Sequence, residues 1–319
     1  MRKILVAGAA ALALMAGASR AQTYPSGPIS LVIPLTPGDA TDIAARTMGE
    51  ELAKLLKVAV VPVNRPGAGA ALGTDSVVKA AKDGYTILIT INAALTFRRV
   101  LDPQNVHYDP QKDLTPLGLT TRIPSILAVR EDLPYRNFAE MAAHAKKNPG
   151  AVRAGTVGVG SVGDFTVQLI NSLAGVEITM VPFKGAAPAI TALRGGHVEG
   201  VALALGALSG HLRSGVMRGI VISSRFPEFP AIPTLTELGY RQNLLGVWLG
   251  FFAPAGVGPE VTGTLVPAIE KVARDPAIGA RLAALGMLQD YAPPGKLAEE
   301  IREEYRTVER IAKQAGLIK

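Results

Sequence analysis

The stretch Ile29-Ser-Leu-Val-Ile-Pro-Leu-Thr-Pro-Gly-Asp-Ala-Thr-Asp42, continued by Ile43 to Lys57, decides how the chain is read. An apolar, partly β-branched run over Ile29 to Leu35 predicts a buried strand, and Pro37-Gly38 predicts a sharp turn. In the segment that follows, Ala44, Met48, Leu52 and Leu55 share one helical face, with Arg46, Glu50 and Lys54 off it. Asp39, Thr41 and Asp42 are residue types that cap helix starts. A strand, a tight turn and a capped helix leave backbone N–H groups and the positive end of a helix dipole facing one crevice. Such a place suits an anion or a polar small molecule. Read alone, the same residues first describe an ordinary, well-capped turn.

Outward from this unit the pattern alternates. Val58 to Asn64 reads as a second strand, and Arg65-Pro-Gly-Ala-Gly69 as a loop. A helix over Ala71 to Ala81 and a third strand over Tyr85 to Ile91 follow. Residues 92–122 read as irregular and proline-rich with one short helix. The alternation restarts with strands at Ser125 to Arg130, Val152 to Val157, Ile178 to Phe183, Glu199 to Leu205 and Met217 to Ser224. Helices are expected between them, notably Asn137 to Lys147, Asp164 to Ala174 and Pro188 to Arg194. Pro227 to Tyr240 reads as a linker, Val247 to Ala253 as a strand, and the chain from Pro259 onward as mostly helical. Short apolar strands alternating with helices describe parallel sheets covered on both faces. The expected fold class is α/β, with two doubly wound lobes and no convincing internal sequence repeat.

The N-terminus sets an expected compartment. Met1-Arg-Lys3, an uncharged Ala/Leu/Val run from Ile4 to Ala18, and Ser19-Arg-Ala21 match a secretory signal peptide. Its apolar run is about 15 residues, below the roughly 18–20 that span a bilayer. Export to the periplasm is therefore expected, with a mature chain beginning near Gln22. Cysteine is absent, which excludes disulfides, thiolate metal sites and a cysteine nucleophile. The net charge of +7 falls to +4 when Arg2, Lys3 and Arg20 leave with the leader. The remaining cations are dispersed and aromatic residues make up 5%, so no nucleic-acid footprint appears.

Ligands of open α/β sheets bind beyond the carboxyl ends of the strands. Four loops occupy such places: Thr36 to Asp42, Asn92 to Thr96, Thr156 to Asp164, and Lys184 to Ala187. In the third, Gly158, Gly160 and Gly163 satisfy G-x-G-x-x-G between a strand and a helix. A dinucleotide would need an acid at the end of the next strand, and that strand ends in Lys184. A smaller guest, held on backbone N–H groups beside the hydroxyls of Thr156 and Ser161, fits better. Catalytic arrangements are scarce. His107, His144, His197 and His211 have no paired ligand spacing, Ser161 lacks the glycine two places before it that a nucleophile elbow requires, and no cofactor or metal is indicated.

With these residues in view, the chain resembles the Bug family, periplasmic solute-binding proteins associated with tripartite tricarboxylate transporters. The matching segments are Tyr24-Pro-Ser-Gly-Pro-Ile29, Pro37 to Asp42, Asn64-Arg-Pro-Gly-Ala-Gly69, Asp83-Gly-Tyr85 and Val157 to Ser161, then Val181-Pro-Phe-Lys-Gly185, Pro233 to Gly239 and Ala253-Pro-Ala-Gly256. The resemblance implies a type II periplasmic binding fold, with lobe 1 over 22–123 and 250–319, lobe 2 over 124–249, and a two-strand hinge near Ile123 and Leu249. It implies a monomeric receptor that captures a carboxylate-bearing small molecule for a membrane transporter or sensor. Residue by residue it points to Thr36, Gly38, Ala40, Thr41 and Asp42 in lobe 1 and to Thr156, Gly160, Ser161, Lys184 and Gly185 in lobe 2, with Asn92 at the pocket floor. Two positions depart from the family pattern: Asp39 stands where a second glycine is usual, and Asp164 where histidine is frequent. Either both aspartates cap helices, or the ligand carries an amine or amide for Asp39 to meet. An exported hydrolase using the same cleft is the competing class of function.

Overall fold

The computed structural model describes residues 24–314 and 316–318; the expected signal peptide lies outside the described residues. Eleven strands form two mixed sheets, and helices pack on both. The six-stranded sheet runs in the order β11-β4-β10-β3-β1-β2, built from β1 (Ile29–Ile33), β2 (Val60–Asn64), β3 (Thr86–Ile91), β4 (Leu114–Ile123), β10 (Val247–Pro254) and β11 (Leu288–Ala292). The five-stranded sheet runs β7-β6-β8-β5-β9, from β5 (Ser125–Arg130), β6 (Val152–Thr156), β7 (Ile178–Pro182), β8 (Gly200–Ala204) and β9 (Met217–Ile222). Each sheet is the core of one lobe.

The two sheets share a plan. In the first, β1, β2 and β3 are parallel, and β10 lies antiparallel between β3 and β4. In the second, β6, β7 and β8 are parallel, and β5 lies antiparallel between β8 and β9. The antiparallel strand is in each case the one that enters directly from the other lobe. The internal repeat invisible in the sequence is therefore a repeat of topology.

Local chemistry explains the helices that matter. Helix α1 (Ala40–Leu56) starts at Asp39, whose carboxylate accepts the Thr41 N–H, and buries Ala44, Ala45, Met48 and Leu52 completely. Helix α2 is Ala71–Val78. After β3 a π-helical turn (Ala93–Phe97) leads into the short α3 (Arg98–Leu101), and α4 is Pro110–Asp113. In lobe 2 come α5 (Phe138–Lys147), α6 (Val162–Ala174), α7 (Ala186–Arg194) and α8 (Ser209–Arg213). The chain ends with α9 (Pro259–Ala273), α10 (Pro276–Ala284) and α11 (Pro294–Gln314), all three with proline at the first helical position, where its missing N–H costs nothing.

Two segments differ from expectation. Leu114 to Arg122, read as irregular, belong to a ten-residue strand that runs on to Ile123. Pro116 and Gly118 are poor strand residues, but the pairing with β10 slips register at two points beside them, which accommodates both. The C-terminal segment, read as helical, contains β11, whose five residues are all only half-buried on the sheet edge. The crossings between lobes lie side by side at Pro124 and at Leu245–Val247, the second a little before the expected Leu249. Val247 pairs with Ile123, and the Ser125 hydroxyl donates to the Leu245 carbonyl at 2.7 Å.

Candidate functional site: the interlobe cleft

A cavity of about 770 Å³ lies between the lobes. Lobe 1 contributes Thr36, Asp39 and Thr41, the loop Pro66 to Ala70, and Arg98 with Asp102; lobe 2 contributes Val157 to Val159, Ser161 to Gly163, and Lys184 to Ala186. Ile123 and Val247 of the crossings form part of the wall. Two helix N-termini, those of α1 and α6, thus open onto the same space.

Both start in the same way. In lobe 1, Asp39 is the N-cap and Asp42, three residues on, reaches back to accept the Gly38 N–H at 2.9 Å. In lobe 2, Ser161 is the N-cap, accepting the Asp164 N–H at 3.1 Å, while Asp164 reaches back to the Gly160 N–H at 2.8 Å. Each is a capping box displaced by one residue, and each pulls a positive-φ glycine into the turn. Of the two departures from the family pattern, Asp164 turns into its own loop, whereas Asp39 caps α1 and also lines the cavity, so the two do not behave alike. Asp42 and Asp164 are 2% and 1% exposed and direct their carboxylates into the loops, not the cavity.

The surroundings of the two carboxylates differ. Asp42 also accepts from Arg46 Nε at 3.0 Å and Asn64 Nδ2 at 2.7 Å. Burial alone pushes its carboxyl up, but the bonds from Arg46, Asn64 and the Gly38 N–H outweigh it and hold the group below the ordinary value. Asp164 has only the neutral Gln168 amide at 2.7 Å in the place of Arg46. There burial wins over the Gly160 and Gln168 bonds and the carboxyl rises. Asp39 is raised as well, chiefly by burial, its bonds to Thr41 offsetting only part.

The expected site residues divide accordingly. Thr36, Asp39, Thr41, Ser161, Lys184 and Gly185 line the cavity. Gly38, Gly160, Asp42, Asp164 and Thr156 build the loops behind it; the buried Thr156 hydroxyl accepts the Gly158 N–H at 3.2 Å. The backbone of Ala40 opens α1. The N–H groups of Val162 and Gly163 open the first turn of α6, where the helix's own i→i−4 ladder supplies no acceptor. Thr36 and Gly185 face each other, for a Cβ on Gly185 would lie 3.9 Å from Thr36 Oγ1. Asn92 is elsewhere. Its buried amide donates to the Gly246 carbonyl at 3.0 Å and to Glu304 Oε1 at 2.9 Å, which ties the end of β3 to the second crossing and to α11. Burial pushes the Glu304 carboxyl up to about 7, against the bonds from Asn92, Thr96 and Trp248.

The glycine pattern has a mechanical origin. A Cβ on Gly163 would stand 2.1 Å from the Ala202 carbonyl oxygen, so this glycine lets α6 lie close on β8. Close helix–strand packing is also the job of the third glycine in dinucleotide loops, which is why the spacing coincides without the cofactor. Two parts of the wall were missed by sequence reading. Ala68 and Ala70 hold positive φ values of 47° and 73°, a conformation unusual for alanine that only the folded loop reveals. Arg98, 6% exposed, was read only as one of the dispersed cations.

Comparison with known proteins follows the same lines. Residues 44–317 match the model of the tripartite tricarboxylate transporter family receptor. The chain is 32% identical over 299 residues to protein BugT of Bordetella pertussis, covering 93% of this chain and 91% of BugT. Among solved structures, the periplasmic binding protein BugD superposes with a TM-score of 0.84 at 29% identity, over 92% of this chain and 99% of BugD. An R. palustris protein solved with adipate gives 0.86 at 28% identity, over 92% and 98% of the two chains. MatC from Rhodopseudomonas palustris, solved with bound malate, gives 0.82 at 30% identity, over 90% and 99%. The shared sheet plan, the facing helix starts and these likenesses together establish that the chain belongs to the tripartite tricarboxylate transporter receptor family, the Bug-type periplasmic solute-binding proteins.

Proposed function

We propose that this protein is an exported, periplasmic receptor that traps a small organic carboxylate between its lobes and hands it to a membrane transporter. The observation that carries the reading is the cavity itself, faced from opposite sides by the starts of α1 and α6. Its volume suits a small molecule, and helix N-termini with unpaired N–H groups suit a carboxylate. The hydroxyls of Thr36, Thr41 and Ser161 add donors, and Lys184 adds a positive charge at the rim. The relatives solved with adipate and malate support the same ligand class. On this reading lobe 1 runs from the mature N-terminus to Ile123 and resumes after the second crossing, with lobe 2 between.

Asp39 refines the ligand. Its carboxyl lines the cavity with one oxygen committed to the Thr41 N–H, so a guest with a hydrogen-bond donor away from its carboxylate, a hydroxyl or an amine, is favoured. Thermal shift over a panel of dicarboxylates, hydroxy acids and amino acids, followed by calorimetry, is the test. At a hundredfold excess over Kd a ligand stabilises by about 2.7 kcal/mol. Wild type is expected to prefer a donor-bearing acid, and Asp39→Gly to lose that preference while still binding. A hit that is chemically consumed would replace the receptor by an enzyme.

A further inference from the structure

We infer that Arg98 is an interlobe latch: a lobe 1 side chain that holds the cleft shut by donating to the backbone of lobe 2. The guanidinium Nη1 donates to the Val159 carbonyl at 2.7 Å, across the cleft. Nη2 is bound by Asp102, one helical turn further along, at 7% exposure, and Asp102 Oδ1 is itself held by Gln104 and Asn105, each at 2.7 Å. The cation is therefore fixed at its lobe 1 end and offers one arm to lobe 2. Nε is buried without a partner, closed off from the cavity, so the free donor does not face a guest.

Backbone on both sides is shaped around this side chain. A Cβ on Gly69 of lobe 1 would lie 2.9 Å from Arg98 Cδ, and a Cβ on Gly160 of lobe 2 would lie 2.9 Å from its Cγ. Both glycines have positive φ, at 57° and 72°. The Gly160 of the lobe 2 loop thus serves twice, turning the chain for Asp164 and leaving room for a side chain of the other lobe. The preceding Phe97 packs edge-on against Phe165 of α6, with ring centroids 5.2 Å apart. An apolar and a directed polar contact lie side by side at one place. A charge-assisted bond, even to a part-buried acceptor such as the Val159 carbonyl, is worth enough to change a closing equilibrium about tenfold when removed.

The inference deepens the receptor reading and rests on it only where a ligand is used. Cysteine is absent from the chain, so Val61→Cys on lobe 1 and Val216→Cys on lobe 2, both exposed, accept spin labels uniquely. Interlobe distances are measured without added ligand in the labelled wild type, in Arg98→Gln, and in Arg98→Met combined with Asp102→Asn, which leaves no buried carboxylate unpaired if the single variant folds poorly. The expected result is a short distance in the wild type and a longer, broader distribution in either variant that folds. Distributions unchanged in the variants, or a wild type already as open as they are, overturn the latch. With adipate or malate as probe, dissociation is expected to quicken about tenfold with little change in association. If neither acid binds the wild type, the receptor reading suffers and the distance measurement still decides the latch.

Discussion

The loop that opens α1 and the loop that opens α6 are two versions of one device. Gly38, Asp39, Asp42 and Arg46 stand at the same spacing as Gly160, Ser161, Asp164 and Gln168. In both, the aspartate three residues into the helix draws in the N–H of the glycine before the cap and bonds the side chain four residues on. The charges differ, as do the N–H each cap accepts and the Asn64 bond that only Asp42 receives. Lobe 1 sets a carboxylate cap beside the cavity and a guanidinium behind it; lobe 2 sets a hydroxyl and an amide in those places. Backbone geometry that presents a helix start can therefore be kept while the charge near the ligand is changed on one side. On the proposed receptor reading, selectivity among acids is better sought in lobe 1, and the common grip on a carboxylate in lobe 2.

The largest test of this comparison is removal of the two buried aspartates. Asp42→Ala leaves the Gly38 N–H unpaired and removes one bond each from Asn64 and Arg46, which keep their bonds to Leu35 and to each other, and is expected to cost about 3 kcal/mol; Asp164→Ala orphans only the Gly160 N–H and the Gln168 amide, about 2 kcal/mol. Urea unfolding of both measures this, and a larger loss at Asp164 breaks the comparison. Next comes pH. Asp42, held below its ordinary value of 3.8, contributes stability that is present above that value and lost as pH falls through its folded pKa. Asp164, raised above 3.8, contributes stability that is full below that value and lost as pH rises through its folded pKa. Melting temperatures from about pH 2 to 8 should therefore show Asp42→Asn losing its harm only below 3.8 and Asp164→Asn most harmful at the acid end and less so as pH rises. Gln168→Arg is expected to give Asp164 the lobe 1 behaviour; an Asp164→Asn profile of unchanged sign in the Gln168→Arg background would remove Arg46 as the cause. The smallest effect belongs to the caps. Asp39→Ser and Ser161→Asp exchange residues of equal capping strength, so stability should move by less than about 0.5 kcal/mol while affinity for an acid rises in the first and falls in the second.

Much of this was legible in the residues. The apolar runs of β1 and β3 and the periodicity of α1 define their elements unaided, because burial on both faces leaves a pure apolar signal. β4 was not legible, since Pro116 and Gly118 are tolerated only through slips against β10, a partner far along the chain. Six of the expected site residues line the cavity, and the loops that carry them announce themselves by glycine and capping residues. Arg98 and the Pro66 to Ala70 loop were not foreseeable, because their roles depend on which backbone the fold brings opposite them. Nor was the direction of Asn92, which is set by Gly246 and Glu304 from distant segments.

The position of β10 also governs the order in which the molecule can be assembled. Strands β5 to β9 form one uninterrupted stretch of chain, so the lobe 2 sheet is complete as soon as that stretch is present. The lobe 1 sheet is not, because its third and fourth neighbours, β3 and β4, meet only through a strand that follows the whole of lobe 2. Its first three strands stay an open sheet with an unpaired edge until nearly the last quarter of the polypeptide is available. Long-range closure of this kind is slow.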